Sequence, residues 1–360
     1  MKPTRLLTGG RALAEWILDG GRPERGGTGT SLRLRWNAFW FEHNWKVEAQ
    51  RLAGEALPSD PVIIVGVWRS GTTALHELLA ACFPSATPRT WQCFNPSTCF
   101  LTGPPVQESA AARPMDLGRV ETLGPQEDEF ALLLLGEPSV YRGFIDPRRL
   151  RACGEALWSG PQGELKRWQD FLRGIAATAP GSRLLLKSPN HSFRLPLMRR
   201  LFPRAQFIWM GRQTGEVLAS NLKMWRAMMG LYALWDCPAG VVEQFLKDML
   251  RAYADVLAWC LDDVPPEQML WVEFEQLRAN PRDVLERVLE FVCPDSGGVD
   301  SRRDHIEQAV ARIPVHEGVR ASLPDDPVVA EIETLMTAAR RRWGFGHNLR
   351  QQSWLGSACN

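Results

Sequence analysis

The residues best suited to chemistry are Gly66-Val67-Trp68-Arg69-Ser70-Gly71-Thr72-Thr73. Their glycine spacing is that of a loop whose backbone N–H groups wrap a phosphate at a helix N-terminus. In triphosphate-binding loops of this kind a lysine follows the second glycine and reaches the β- and γ-phosphates. Thr72 stands there instead, and the cation is Arg69, two residues before Gly71. Such a loop can cradle one 5′-phosphate but lacks the charge for a triphosphate tail. Arg69, Ser70, Gly71, Thr72 and Thr73 are therefore candidate nucleotide-binding residues. A glycine turn made only for strand–helix packing is the alternative reading.

A second cluster runs from Phe202 to Arg212, with Ser220 eight residues further on. Arg212 ends a predicted strand, at the edge where doubly wound sheets bind ligands. Ser220 lies two turns into the helix that follows. An arginine fork and a hydroxyl so placed could hold a second phosphate. Read alone, a surface arginine and a helix-face serine are the plainer description. The first loop, with one cation and no triphosphate lysine, suits a nucleotide with one phosphate next to a short anionic group, such as a phosphosulfate.

Strands must end where these loops begin. Pro61-Val-Ile-Ile-Val-Gly66 is a short β-branched run ending in glycine, the pattern of a buried parallel strand. Leu75, Leu78 and Leu79 give helical spacing from Thr72 to about Cys82. Further strands are predicted at Arg183–Lys187, Gln206–Met210 and Met269–Phe274. Helices are predicted over Glu127–Leu135, His191–Leu201, Thr214–Met229, Val241–Leu261, Pro281–Val292 and Pro327–Trp343. Phe83–Arg119 and Asp295–Arg303 read as loops. The alternation predicts an α/β fold with a doubly wound, mostly parallel sheet flanked by helices. A helical N-terminal extension is expected over residues 1–60, an α/β core over 61–295, and a C-terminal loop and helix packing on that core over 296–360.

The chain has 360 residues, 45% hydrophobic and 23% charged, which suits a packed globular protein. A formal net charge of +1 argues against the basic field that grips nucleic acid. No apolar run approaches the roughly 20 residues that cross a bilayer. Glu15 and Asp19 interrupt any leader, so the expectation is a cytoplasmic protein. Eight cysteines without a CxxC pair read as reduced, mostly buried thiols. His76-Glu77 lacks a second histidine at helical spacing, so no metal is expected. Trp36, Trp40 and Trp45 interleave with Phe39 and Phe41 at amphipathic spacing. They suit a helix packed on the core, or else a wall for a bulky acceptor or a peripheral membrane contact.

With these pieces in place the sequence resembles the sulfotransferases that use 3′-phosphoadenosine 5′-phosphosulfate (PAPS), especially a bacterial branch similar to the tyrosylprotein enzymes. Four segments carry the resemblance: Gly66–Thr73 with its preceding strand, Leu185-Leu-Lys-Ser-Pro-Asn-His191, Phe202–Arg212 with Ser220, and Val272–Leu277 followed by Asn280-Pro281. The resemblance implies that Arg69–Thr73 hold the 5′-phosphosulfate and that Arg212 and Ser220 hold the 3′-phosphate. It implies an in-line transfer to an acceptor hydroxyl, with Arg69 and Lys187 as the cations where charge develops, and no metal. A strand-end lysine in solvent is the other reading of Lys187.

The general base stays open between Glu127, Glu129 and His191. Without the family, Gln126–Glu129 reads as a solvated helix start and His191 as a helix cap. The tyrosylprotein branch uses a glutamate after the phosphate-loop helix. Trp91-Gln92 stands roughly there, and glutamine cannot act as a base. The tryptophan-rich segments suggest a bulky apolar acceptor, a lipid or secondary metabolite, with a glycan or small phenol as the alternative. A homodimer would be unsurprising. Competing readings are a nucleotide-dependent kinase of similar architecture and a non-catalytic nucleotide-binding protein. The missing lysine argues against the first, and intact Arg69, Lys187 and Arg212 against the second.

Overall fold

The computed structural model describes residues 7–25, 29–112, 118–160, 163–294, 303–311 and 325–344. The chain divides into two compact units: residues 1–58, 85–186 and 221–249 form the first, and 59–84, 187–220 and 250–360 the second. Seven strands lie among the described residues: β1 (Val62–Val65), β2 (Ser85–Ala86), β3 (Ala110–Ala112), β4 (Arg119–Glu121), β5 (Arg183–Lys187), β6 (Gln206–Gly211) and β7 (Met269–Glu273).

In the second unit the order is β1-β6-β7, and both pairings are parallel. Val62–Val65 and Phe207–Met210 are fully enclosed. Burial of such side chains stabilises by about 1.5–3 kcal/mol each, which is why the apolar β-branched runs become central strands. Val65 pairs with Trp209, so β1 and β6 end at nearly the same level. That register brings Gly66 and Arg212 out at one edge of the sheet. The helix Thr72–Cys82 packs on β1 with Leu75 and Leu79 buried. The helix Pro327–Trp343 packs on β7. It starts with Pro327 in its first turn and with the Asp326 carboxylate accepting from the Val328 N–H at 2.9 Å.

In the first unit β2 and β5 pair in parallel, and β3 and β4 pair antiparallel. The helices Arg11–Asp19 and Thr30–Leu52 pack on each other. A buried carboxylate ties the segment after the short helix Arg142–Ile145. Asp146 is fully enclosed and accepts from the Nε atoms of both Arg148 and Arg149 at 2.9 Å. Arg149 in turn lies 3.5 Å from the Trp16 ring centroid. Burial opposes ionisation of Asp146, but the hydrogen bonds and charges of Arg148 and Arg149 outweigh it and hold its pKa below the ordinary aspartate value. A depressed folded pKa means stability that is complete above the ordinary value and lost as pH falls through the folded one. Asp146→Asn should therefore cost about 2–3 kcal/mol in urea unfolding at neutral pH, with Arg148 partly in solvent limiting the loss. The gap from wild type should narrow below the ordinary aspartate pKa. A gap that does not change with pH would show that the pairing charge is not what stabilises this segment.

The α/β alternation matches the sequence expectation, and four elements match to the residue: Thr72–Cys82, β5, Pro281–Val292 and Pro327–Trp343. Four regions differ. Phe83–Arg119 is not all loop, since it holds β2, β3 and the short helices Thr90–Cys93 and Cys99–Thr102. The helix expected from Glu127 starts at Glu129, because Gln126 N–H bonds the Pro88 carbonyl at 2.9 Å and Pro125 bridges Arg89. The helix expected from His191 begins as a 3-10 turn over Pro189–Arg194 and becomes α only at Leu195–Leu201. Phe274 ends no strand; it opens a helix, Phe274–Ala279. Most of the expected loop Asp295–Arg303 lies outside the described residues.

Candidate functional site

The loop after β1 is held in a shape that glycine alone permits at two points. Gly66 has φ 135° and Gly71 φ 98°. A Cβ on Gly66 would lie 2.7 Å from the Met210 carbonyl oxygen, and one on Gly71 would lie 2.3 Å from Cδ2 of Phe274. Arg69 also lies in the left-handed region, at φ 72°, a conformation that costs an L residue about 1 kcal/mol or more. Its contacts offset that strain. Arg69 Nε donates to Ser220 Oγ at 2.9 Å, and its carbonyl accepts from Arg212 Nη1 at 2.9 Å. Gly71 is the N-cap of the following helix and supplies no side-chain cap. The first helical N–H groups are thus left to another acceptor. Ser70 Oγ is buried without a hydrogen-bond partner among the described residues. An orphan hydroxyl, uncapped amides and a strained arginine make a cradle that fits an anion.

The second unit brings most of the predicted residues together around this cradle. Arg69, Arg212 and Ser220 form one cluster, so the surface-arginine reading does not describe them. Arg212 Nε and Nη2 also donate to Glu216 Oε2 at 3.1 and 2.8 Å. Its guanidinium lies 4.4 Å from the Phe274 ring centroid. Three of its five N–H groups are engaged, which leaves two without a partner among the described residues. Lys187 is 3% exposed, and its Nζ stands 3.4 Å from Thr73 Oγ1, on the first turn of the helix Thr72–Cys82. It is not a solvent lysine. His191 is buried in the 3-10 turn that follows it.

That turn also supplies residues that the sequence reading passed over. Gly66 N–H donates to Ser192 Oγ at 2.8 Å, and Trp68 stacks on Phe193 at 5.7 Å. Asn190 is fully buried, with no partner for either side-chain amide atom among the described residues. Glu216 and Phe274 were missed as well. Their only signal was proximity to Arg212 and to β7; contacts with Gly71 and Arg212 cannot be read from spacing.

The acidic run sits in the first unit, and it is not a solvated helix start. Glu129 is buried and accepts from Ser139 Oγ at 2.6 Å. Glu127 accepts from the Tyr141 hydroxyl at 3.0 Å, and Asp128 from Trp168 Nε1 at 2.7 Å. Glu127 and Glu129 thus turn to different hydroxyls. Gln92 accepts from the Arg89 N–H at 2.8 Å and works as a local cap. A cavity of about 590 Å³ in the same unit is lined by Arg11, Glu15, Glu42, Trp45, Lys46 and Arg167, with Ala12. Neither Glu127 nor Glu129 lines it. Among the described residues no group of three His, Cys, Asp or Glu side chains could hold a metal ion, and no helix is long and apolar enough to cross a membrane.

Fold and sequence define an α/β protein in which β1 is followed by a glycine-bracketed loop with its cation, Arg69, before the second glycine. Residues 61–293 match the sulfotransferase family, and the chain belongs to that family. It is 29% identical over 260 residues to the omega-hydroxy-beta-dihydromenaquinone-9 sulfotransferase Stf3 of Mycobacterium bovis, and equally to that of Mycobacterium tuberculosis. The match covers 68% of this chain, and the chain spans 66% of the length of those relatives. Among solved structures, sulfotransferase STF9 from Mycobacterium avium superposes with TM-score 0.63 at 18% identity, covering 94% of this chain and 93% of that one. STF1 from M. tuberculosis gives 0.57 at 16%, covering 95% and 96%. At such identities the likeness is one of fold.

Proposed function

We propose that the protein transfers a sulfuryl group from PAPS to an acceptor hydroxyl. The observation that supports this most directly is the Arg69–Ser220–Arg212 cluster, set on a phosphate loop without the triphosphate lysine, in a chain of the sulfotransferase family. Arg69, Ser70, Gly71, Thr72 and Thr73 would hold the 5′-phosphosulfate. Ser220 and the two remaining N–H groups of Arg212 would take the 3′-phosphate. The acceptor oxygen attacks sulfur while the bond from sulfur to the 5′-phosphate oxygen breaks. The hydroxyl proton passes to a base, and adenosine 3′,5′-bisphosphate leaves. Arg69 and Lys187 meet the charge that develops on the leaving oxygen. His191, Glu127 and Glu129 are the base candidates; both glutamates already accept a hydroxyl hydrogen bond. The acceptor we favour is a bulky apolar lipid or secondary metabolite. The relatives' names, which specify a hydroxylated menaquinone, support that choice.

Thermal unfolding with adenosine 3′,5′-bisphosphate, AMP and ATP in parallel tests the donor site. A ligand that binds only the folded chain adds about 2.7 kcal/mol at 100 times its dissociation constant. The bisphosphate should raise the melting temperature and AMP should raise it little. A rise with ATP alone would favour a kinase, and no rise with any of the three would favour a protein that has lost its nucleotide site.

A further inference from the structure

The helix Thr30–Leu52 buries one face and leaves the other without a protein partner among the described residues. Leu34, Ala38, Phe41, Trp45 and Leu52 point inward. Outward stand Leu32 at 75% exposure, Trp36 at 62%, Phe39 at 58%, Trp40 at 45% and Val47 at 40%. At 3.6 residues per turn these positions fall within one stripe about 100° wide. Trp40 sits edge-on to Trp36, Phe39 and His43, at 6.0, 5.5 and 5.9 Å, so the aromatic rings form one continuous patch.

The charges along the stripe have one sign. Every exposed charged residue of the helix is basic: Arg33, Arg35, Lys46 and Arg51. Arg35 and Lys46 flank one side of the stripe, Arg33 and Arg51 the other. The two acids of the helix are turned away. Glu42 pairs with Arg167, and Glu48 is buried and accepts from the Leu101 N–H at 2.9 Å. Cationic borders around tryptophan and phenylalanine are the pattern of a helix lying in a membrane interface, rings among the headgroups and cations at the phosphates. The same borders disfavour a second copy of the chain, because a two-fold contact would set arginines against arginines.

We propose that this face docks the protein on an anionic lipid bilayer, with the helix Thr30–Leu52 flat in the headgroup layer. The proposal stands independently of sulfuryl transfer, since binding is read without donor or acceptor. The test is co-sedimentation of the full chain with vesicles of phosphatidylcholine plus phosphatidylglycerol, against vesicles of phosphatidylcholine alone. The chain should pellet with the anionic vesicles, less with the neutral ones, and less as salt rises. Trp36→Ser/Phe39→Ser/Trp40→Ser should weaken partitioning at least about 10-fold, and Arg33→Glu/Arg35→Glu by a similar factor. The conservative Trp36→Phe/Trp40→Phe should retain most binding. These side chains are exposed, so unchanged melting temperatures will confirm that the variants fold. The proposal is overturned if the wild type stays in the supernatant with anionic vesicles, or if the triple variant pellets like wild type. It also fails if the wild type is a solution dimer that the triple variant splits, because the stripe is then a self-interface.

Discussion

Arg69→Gly and Lys187→Met should each lower turnover about 10²- to 10³-fold while the chain still folds. The two substitutions separate chemistry from folding. Glycine adopts the φ of 72° that Arg69 now holds under strain, so the loop keeps its path and loses only the guanidinium. Methionine keeps the buried aliphatic stem of Lys187 and removes the ammonium beside Thr73. Arg69→Ala and Lys187→Ala should be inactive too, with more damage to loop geometry and packing. The readout is radiolabelled sulfate leaving PAPS for an acceptor hydroxyl, or for water where no acceptor is supplied. Near-normal turnover in either variant, with an unchanged melting temperature, removes that residue from the mechanism.

Gly71→Ala should damage both the fold and the loop. The new Cβ would lie 2.3 Å from the Phe274 ring, at a φ that alanine resists. Overpacking of this kind costs about 1–3 kcal/mol and the backbone strain about 1–2 more. Phe274 is also the ring under Arg212, so a shift that relieves the clash moves the second arginine as well. Affinity for adenosine 3′,5′-bisphosphate should fall about 100-fold, in line with the loss of roughly two charge-assisted hydrogen bonds. Gly71→Ala/Phe274→Ala should regain part of the affinity, and strict additivity of the two substitutions would show that they are not coupled.

The parts of the site that could be read in advance are those in which one short segment carries both the element and the chemistry. Val62–Val65 is apolar and β-branched, Gly66 and Gly71 bracket an arginine, and Leu75 and Leu79 repeat at helical spacing. The acidic run shows the opposite case. Glu127–Glu129 looks solvated from its charge, yet Asp128 and Glu129 are buried. The partners that satisfy them, Trp168 and Ser139, lie 40 and 10 residues away. Phe83–Arg119 looked structureless because its pairings are short and non-local: Trp91 N–H reaches Thr122, and Gln126 N–H reaches Pro88. Turn-rich composition marks where a chain can bend but not which distant carbonyl it meets.

The sequence by itself showed the likeness to the sulfotransferase family in four short segments, the strand–loop–helix at Gly66–Thr73, and a loop with Thr72 where the triphosphate lysine would stand and Arg69 as its cation. All of these follow from residue types at fixed spacing within a few turns of chain, where backbone sterics and apolar periodicity act locally. Only the tertiary structure decided that Arg69 bonds Ser220 across 151 residues, that Arg212 braces the Arg69 carbonyl, that Lys187 is buried, and that Trp36 and Trp40 face outward. Those outcomes depend on which ends of parallel strands come level and on which helix face finds a neighbour. Long-range register and packing set both, and neither is written in the spacing of nearby residues.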